Sequence, residues 1–303
     1  FAYSRDIPDG KIRDKILLPE KVKSTRQWRA KLDIDLVLRE QQTVVSKVLH
    51  HGPLRIQKPF PQEDGSCHLY LLHPPGGLVG GDQLSIRITA ASGTRALVTT
   101  PSAGKFYRCL EKLEQKQKVQ IHVGDSAEVE WLPQENIFFD GAQAGVETEV
   151  HLATDGVFIG WEIQCLGRQA SGESFSNGSV LQRLQLFRNG RLLYRERLQM
   201  IPRTPVMKAG WGLGGMNVIG SLIAVLPGEK ARRESGQIQS VVTELNATYP
   251  GQMWGFSLKK SVVLARYLGE STEDCRGGLN EMRLMLSAAD ICATGSTPRI
   301  WNT

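Results

Sequence analysis

Apolar and polar residues alternate along most of the chain, and this period of two is typical of β-strands that bury one face. Residues 84–88 (Leu-Ser-Ile-Arg-Ile) show the pattern, and residues 119–123 (Val-Gln-Ile-His-Val) repeat it. Such runs recur at short spacing from about residue 28 to residue 226, with turn signals such as Asn189-Gly190 between them. The sequence therefore predicts a mainly β fold.

Two segments near the C terminus have helical periodicity instead. Apolar residues recur at intervals of three and four over residues 229–245 and again over residues 272–289. Ser271 precedes Asp274 by three positions, which is typical of a capping box at the start of the second segment, although Gly277-Gly278 weakens it. We interpret both apolar stripes as core-facing, so the sequence predicts about two α-helices in the C-terminal part.

A ten-residue loop, residues 73–82 (His-Pro-Pro-Gly-Gly-Leu-Val-Gly-Gly-Asp), separates two predicted strands. It is long for a hairpin, and its prolines and glycines continue neither a strand nor a helix. The chain has no G-x-x-x-x-G-K-[ST] or G-x-G-x-x-G motif, so a nucleotide site is not predicted. His73 and Asp82 bracket the loop, and the residues alone leave open whether it is structural or functional.

The positive charge is concentrated at the front of the sequence. Residues 1–31 hold nine Lys/Arg and four Asp/Glu, whereas the whole chain carries +6, so the rest carries about +1. We predict a basic, flexible arm over residues 1–27 and one large β-rich domain over residues 28–303. A basic arm can bind nucleic acid, but no recognition or stacking motif supports that function.

Several protein classes fit the sequence poorly. No apolar run approaches the roughly 18 residues of a membrane span, and no secretory leader is visible in the printed sequence. The five cysteines are scattered without a C-x-x-C motif, which favours a reducing cytoplasm over a disulfide framework or a structural zinc site. The six histidines form no H-x-H or H-E-x-x-H pattern, and G-x-S-x-G is absent. The sequence thus predicts neither an enzyme nor a tight transition-metal site.

Two acidic residues lie in strands that are apolar on both sides. Glu162 follows Trp161, and Glu196 lies in the second strand of the hairpin at Asn189-Gly190. A two-residue turn predicts that Arg183 faces Glu196 across this hairpin. A carboxylate buried on both sides needs a partner, a metal ion or water. The residues alone leave structural pairing and a functional role equally open.

Four ordered blocks resemble the signature of the urease accessory protein D family, called H in some systems. The first is the loop at residues 73–82, and the others cover residues 99–108, 131–142 and 165–173. The resemblance implies strands wound into a β-helical stack, with two helices attached. The sequence itself shows no repeat of fixed length that would indicate such a stack.

The resemblance also implies a function. Members of this family are non-enzymatic scaffolds that link apo-urease to accessory protein F and, through it, to the GTPase accessory protein G. The resemblance implies that no cofactor is permanently bound and that nickel is in transit through an acid-lined, water-filled passage. Because the scaffold links several proteins, the resemblance also implies a hetero-oligomeric complex. The matching blocks give these candidate positions for transient nickel contact: Asp82, Glu162, Glu196, Glu173, Asp140 and, as a further candidate, His73.

Carboxylates and water hold a divalent ion weakly enough to release it, whereas thiolate and imidazole clusters suit storage. The main alternative is a protein-interaction adaptor through which no nickel passes. A nucleic-acid-binding protein is the third hypothesis.

Overall fold

The computed structural model describes residues 28–110, 113–226, 228–288 and 297–302, without the side chains of residues 228–234, 287–288 and 302. The predicted arm over residues 1–27 lies outside this part, and the division into an arm and one domain stays a prediction. The strands in chain order are β1 (Arg29–Arg39), β2 (Gln42–His51), β3 (Arg55–Ile56), β4 (Phe60–Pro61), β5 (Cys67–Leu72), β6 (Gln83–Ala90), β7 (Arg95–Thr99), β8 (Gly104–Phe106), β9 (Gln115–Val123), β10 (Glu128–Leu132), β11 (Asn136–Phe138), β12 (Gln143–Leu152), β13 (Val157–Leu166), β14 (Ser179–Arg188), β15 (Arg191–Met200), β16 (Val218–Val225), β17 (Met253–Lys259) and β18 (Val262–Gly269). The α-helices are α1 (Pro205–Lys208), α2 (Gly228–Thr248) and α3 (Thr272–Ala288).

The strands form two sheets that enclose the main core. The seven-stranded sheet has the order β15-β14-β12-β9-β6-β1-β2. The eleven-stranded sheet runs β17-β18-β16-β13-β10-β7-β5-β3, with β4, β8 and β11 paired beside this path. Both inner faces are mostly apolar, as the alternating sequence predicts. The mainly β fold is therefore confirmed.

From β5 to β14 the chain passes back and forth between the two sheets. Each strand lies parallel to the strand one turn earlier, as in the series β6, β9, β12, β14. The result is a β-solenoid of about four turns, which confirms the β-helical expectation. Leu69 pairs with Val98, Val98 with Trp131, and Trp131 with Gly160, so successive turns advance the chain by 29, 33 and 29 residues. This unequal spacing explains why no fixed period is visible in the sequence.

One column of large apolar side chains runs along the solenoid. Leu78 pairs with Phe106, Phe106 with Phe138, and Phe138 with Leu166. All four are at most 1% exposed, and the two phenyl rings lie 4.8 Å apart between centroids. Each turn thus contributes one side chain to the same column, and this packing joins successive turns.

The two long helices pack on the outer face of the eleven-stranded sheet. Ile238 of α2 and Leu279 of α3 belong to a second apolar cluster with Trp161 and Leu222 of the sheet. The Ser271 hydroxyl accepts a hydrogen bond from the Asp274 N–H at 3.1 Å, so the predicted N-cap is formed. These helices match the two predicted segments, and the four-residue α1 is an additional helix that the sequence did not predict. Within the described residues, no helix is long and apolar enough to cross a membrane.

Candidate functional site

A group of polar side chains lies between the sheets at one level of the solenoid, buried at Glu162 and partly exposed at Glu196 and Arg266. We call it the interior polar cluster, and it consists of Thr148, Glu162, Gln182, Tyr194, Glu196, Ser221 and Arg266. Strand register brings these residues together. Glu162, Ser221 and Arg266 are neighbours across β13, β16 and β18, while Thr148 and Glu196 flank Leu184 across β12, β14 and β15.

Glu162 projects from β13 toward the seven-stranded sheet and is only 7% exposed. Its carboxylate accepts hydrogen bonds from the Thr148 hydroxyl and the Gln182 amide, which reach it from the opposite sheet. Burial raises the pKa of Glu162 above its ordinary value; the two hydrogen bonds oppose this shift, and the charge of Glu196 adds to it. The negative charge of Glu196 therefore acts on Glu162 from the opposite sheet.

The raised pKa of Glu162 predicts a pH-dependent effect of Glu162→Gln on stability. The protonated carboxyl favours the folded state; this contribution is fully present below the unfolded pKa and is lost as pH rises through the folded pKa. We therefore expect the difference in melting temperature, Glu162→Gln minus wild type, to become more positive by a few degrees between acidic and neutral pH. Melting curves across this range test it, with Glu147→Gln on the outer face of β12 as the control. A difference that does not change with pH would contradict the prediction.

Glu196 is held by Arg266 of β18. The two guanidinium nitrogens donate to the two carboxylate oxygens at 2.9 and 2.8 Å, and Arg266 also donates to the Ser221 hydroxyl at 3.0 Å. The Tyr194 hydroxyl donates to Glu196 at 2.9 Å, and burial raises the pKa of Tyr194 to about 12. A bidentate arginine neutralises Glu196 in this conformation.

The predicted pairing of Arg183 with Glu196 is wrong. Arg183 lies opposite Arg197, and Glu196 lies opposite Leu184. The register shifts because β15 has a β-bulge at Leu193, between the Leu186–Tyr194 and Phe187–Leu192 pairs. The bulge turns Glu196 inward, away from the exposed arginines of the hairpin.

Two cavities lie beside this part of the core. A cavity of about 360 Å³ is lined by Glu196, Ser221 and Arg266. A smaller one, of about 70 Å³, is lined by His73, Gln117 and Asn136, among others. Both volumes exceed the roughly 10–15 Å³ that one water molecule needs.

Polar residues of β13 lie along the strand between the two cavities. Asn136 of the smaller cavity pairs with Gln164, and Ser221 of the larger cavity pairs with Glu162, two residues earlier on β13. Gln164 is fully buried, and neither atom of its amide has a hydrogen-bond partner in the described part of the chain. A buried amide of this kind is suited to bind water.

Asp82 lies apart from the interior polar cluster, at the end of the glycine-rich loop. It is 8% exposed, and its carboxylate accepts the Val79 N–H at 2.9 Å, which closes the loop on itself. Burial lowers the pKa of His73, and the negative charge of Asp82 opposes this shift. Leu84 of β6 points into the core, and side chains two residues apart in a strand lie on the same face. Asp82, two residues before Leu84, therefore lies on the inner side of the chain just before β6 begins.

Asp140 and Glu173 connect loops at the edge of the stack. The Asp140 carboxylate accepts backbone N–H groups of Ser176 at 2.9 Å and Asn177 at 2.7 Å. Burial favours a higher pKa for Asp140, but these hydrogen bonds and the Arg108 guanidinium outweigh it and lower the pKa. Glu173 accepts the Asp140 N–H at 2.9 Å, and its hydrogen bond from the Arg168 guanidinium lowers its pKa. Both acids thus have structural partners, and their contact with nickel stays a prediction.

The described residues contain no group of three or more His, Cys, Asp or Glu side chains arranged to hold a metal ion. The structure brings Glu162 and Glu196 together and places Asp82, Asp140, Glu173 and His73 elsewhere. Sequence reasoning missed Arg266, although the same signal was available. It is the charged residue in the otherwise apolar run of residues 262–268.

Comparison with known proteins gives one consistent result. The profile of a family described as UreD urease accessory protein matches residues 29–302. A urease accessory protein UreD of Saccharophagus degradans is 41% identical over 288 residues, covering 94% of this chain and 97% of the relative. UreD of Methylobacillus flagellatus is 39% identical, covering 92% and 95%. UreD 2 of Brucella anthropi is 34% identical, covering 91% and 98%.

Proposed function

Because this chain belongs to the UreD urease accessory protein family, we propose that it serves urease maturation as a scaffold through which nickel passes. In this proposal it joins apo-urease to accessory protein F and, through F, to the GTPase accessory protein G. In this proposal the protein works in the cytoplasm, catalyses no reaction and binds no nucleic acid. Nickel is its cargo rather than a resident cofactor.

The observation that carries the passage is the interior polar cluster. Glu162 is a buried carboxylate in an apolar core, where an ion loses its hydration at a cost, and Glu196, whose side chain is 20% exposed, loses part of its hydration. A carboxylate buried at such a cost supports a role in handling a charged species.

The chemistry of the cluster suits transfer better than storage. Its donors are carboxylate, amide and hydroxyl oxygens, and it contains no thiolate or imidazole. Oxygen donors without a complete coordination set bind a divalent transition metal weakly, so an ion held there is also released. The buried Gln164 amide and the two cavities supply places for the water that a mobile cation carries.

A double variant tests the passage. Asp82→Ala combined with Glu196→Ala should reduce urease activation several-fold while the complex with apo-urease still assembles. The measurement is nickel content and activity of urease co-expressed with the accessory proteins, with co-purification as the check on assembly. Glu196→Gln, which keeps an acceptor for Arg266, separates loss of charge from loss of folding.

The matched control is Glu114→Ala with Glu147→Ala, which removes two acids from the outer region of the seven-stranded sheet. Normal urease activation by the Asp82→Ala, Glu196→Ala double variant would contradict the nickel passage. It would favour the alternative function, an adaptor through which no nickel passes. Unchanged nickel occupancy when this chain is omitted would sink the maturation role as well.

A further inference from the structure

The segment between β15 and β16, residues 201–217, displays a tryptophan to solvent. Trp211 is 76% exposed, although an indole is among the most favourable side chains to bury. The connection is 17 residues long and, apart from the four-residue α1, has no regular secondary structure; long connections of this kind often form binding loops. We call it the Trp211 loop.

The Trp211 loop is held in place by its own backbone. The Leu213 N–H donates to the Val206 carbonyl at 2.7 Å, and the Gly215 N–H donates to the Met207 carbonyl at 2.8 Å. The Leu213 side chain is buried in the main core. At Gly212 a Cβ would lie 2.2 Å from the Val206 oxygen, so only glycine fits beside the indole-bearing residue. A fixed loop therefore presents Trp211 outward, which lowers the entropy lost when a partner binds it.

The surroundings of Trp211 are apolar and basic. Met253, 47% exposed, lies against the loop at Gly214, where its Cε is 3.7 Å from the position of a Cβ. The sequence from residue 197 to residue 228 contains no Asp or Glu. Arg203 and Lys208 are exposed on the loop, and neither has an ion-pair partner among the described residues.

The loop also borders the interior polar cluster. Gly212, Leu213 and Met253 line the same 360 Å³ cavity as Glu196 and Arg266. A protein seated on the Trp211 loop would therefore cover the cavity beside these two charged groups.

We infer that the Trp211 loop is a docking surface for a protein partner that offers an apolar pocket for the indole, bordered by carboxylates for Arg203 and Lys208. Tryptophan and arginine are enriched among residues that dominate binding energy, and methionine adapts to different pockets. Since Arg203 and Lys208 have no ion-pair partner in the part of the chain that the structure describes, their positive charge favours an acidic partner and speeds the encounter. This inference rests on the proposed function, since it assigns the partner to the urease maturation complex.

Binding of the purified full chain to immobilised apo-urease and to immobilised accessory protein F tests it. Trp211→Ala should weaken binding to one of them by at least about tenfold, and Trp211→Phe should retain most of the affinity. Trp28→Ala, which removes another exposed tryptophan, is the matched control and should bind as wild type does. Arg203→Gln with Lys208→Gln should slow association and reduce its dependence on salt.

Three results would contradict the docking surface, and each has a different consequence for the proposed function. If Trp211→Ala binds both partners within about twofold of wild type, the docking surface is wrong while the proposed function stands. If Trp211→Ala abolishes self-association in sedimentation and leaves both affinities unchanged, the occupant is a second copy of this chain and the inference fails. A wild-type chain that binds neither partner overturns the docking surface and the proposed function together.

Discussion

Arg283→Met is expected to lower the free energy of unfolding by about 3–5 kcal/mol, because it removes the guanidinium that pairs with the buried Glu130 carboxylate. Arg283 of α3 is 0% exposed and Glu130 of β10 is 1% exposed. The guanidinium donates to the two carboxylate oxygens at 3.1 and 2.7 Å, which ties the helix to the outer face of the eleven-stranded sheet. Urea unfolding measures the loss. Adding Glu130→Leu should restore much of the lost stability, since an apolar pair removes the buried carboxylate as well.

The exposed pair of Lys116 and Glu114 is the control for this result. These groups lie 2.9 Å apart, with side chains 55% and 47% exposed. Lys116→Met should therefore change the unfolding free energy by about 0–1 kcal/mol. An Arg283→Met variant no less stable than Lys116→Met would show that burial of the pair has little energetic consequence.

Phe138→Ala is expected to destabilise the solenoid by about 3–5 kcal/mol. Phe138 occupies the middle of the column that joins Phe106 to Leu166, and its removal leaves a cavity between two turns. Neighbouring side chains fill such a cavity poorly, since strand pairing fixes the spacing of the turns. Urea unfolding gives the magnitude, and hydrogen exchange should show faster opening of β8 and β11.

The neighbouring Phe139 gives a matched comparison. It is half-buried and packs edge-on to Tyr107, at 4.9 Å between ring centroids. Phe139→Ala should cost about 1 kcal/mol, because it leaves no enclosed cavity. Equal losses from the two substitutions would contradict the structural role assigned to the column.

Local pattern is enough to predict most strands of this fold. The alternation over residues 84–88 and 119–123 falls within β6 and β9, and the capping signal at Ser271 marks the start of α3. The winding is not local information, because neighbouring parallel strands of the solenoid come from successive turns, which lie about 30 residues apart in the sequence. Turns of 29 and 33 residues erase the fixed period by which a solenoid is recognised.

The candidate site, like the fold, is only partly predictable from the sequence. Glu162 and Glu196 are identifiable from sequence, since a charge in a strand apolar on both faces is unusual. Their partners are not, because Gln182 and Arg266 come from strands that only the completed fold brings near. One extra residue at the β15 bulge was sufficient to make the Arg183 pairing wrong.

The bidentate contact of Arg266 with Glu196 means that any cation binding at this carboxylate would compete with a guanidinium already in place. Each oxygen accepts a hydrogen bond from the guanidinium and has a further lone pair, so a diffusible cation must share the carboxylate with, or displace, a group that is tethered to the chain. A tethered competitor acts at an effective concentration on the order of millimolar. A cation present at micromolar concentration must then exceed the guanidinium in intrinsic affinity by about a thousandfold to prevail. The same competition returns the guanidinium to Glu196 and shortens the residence time of any ion that does enter.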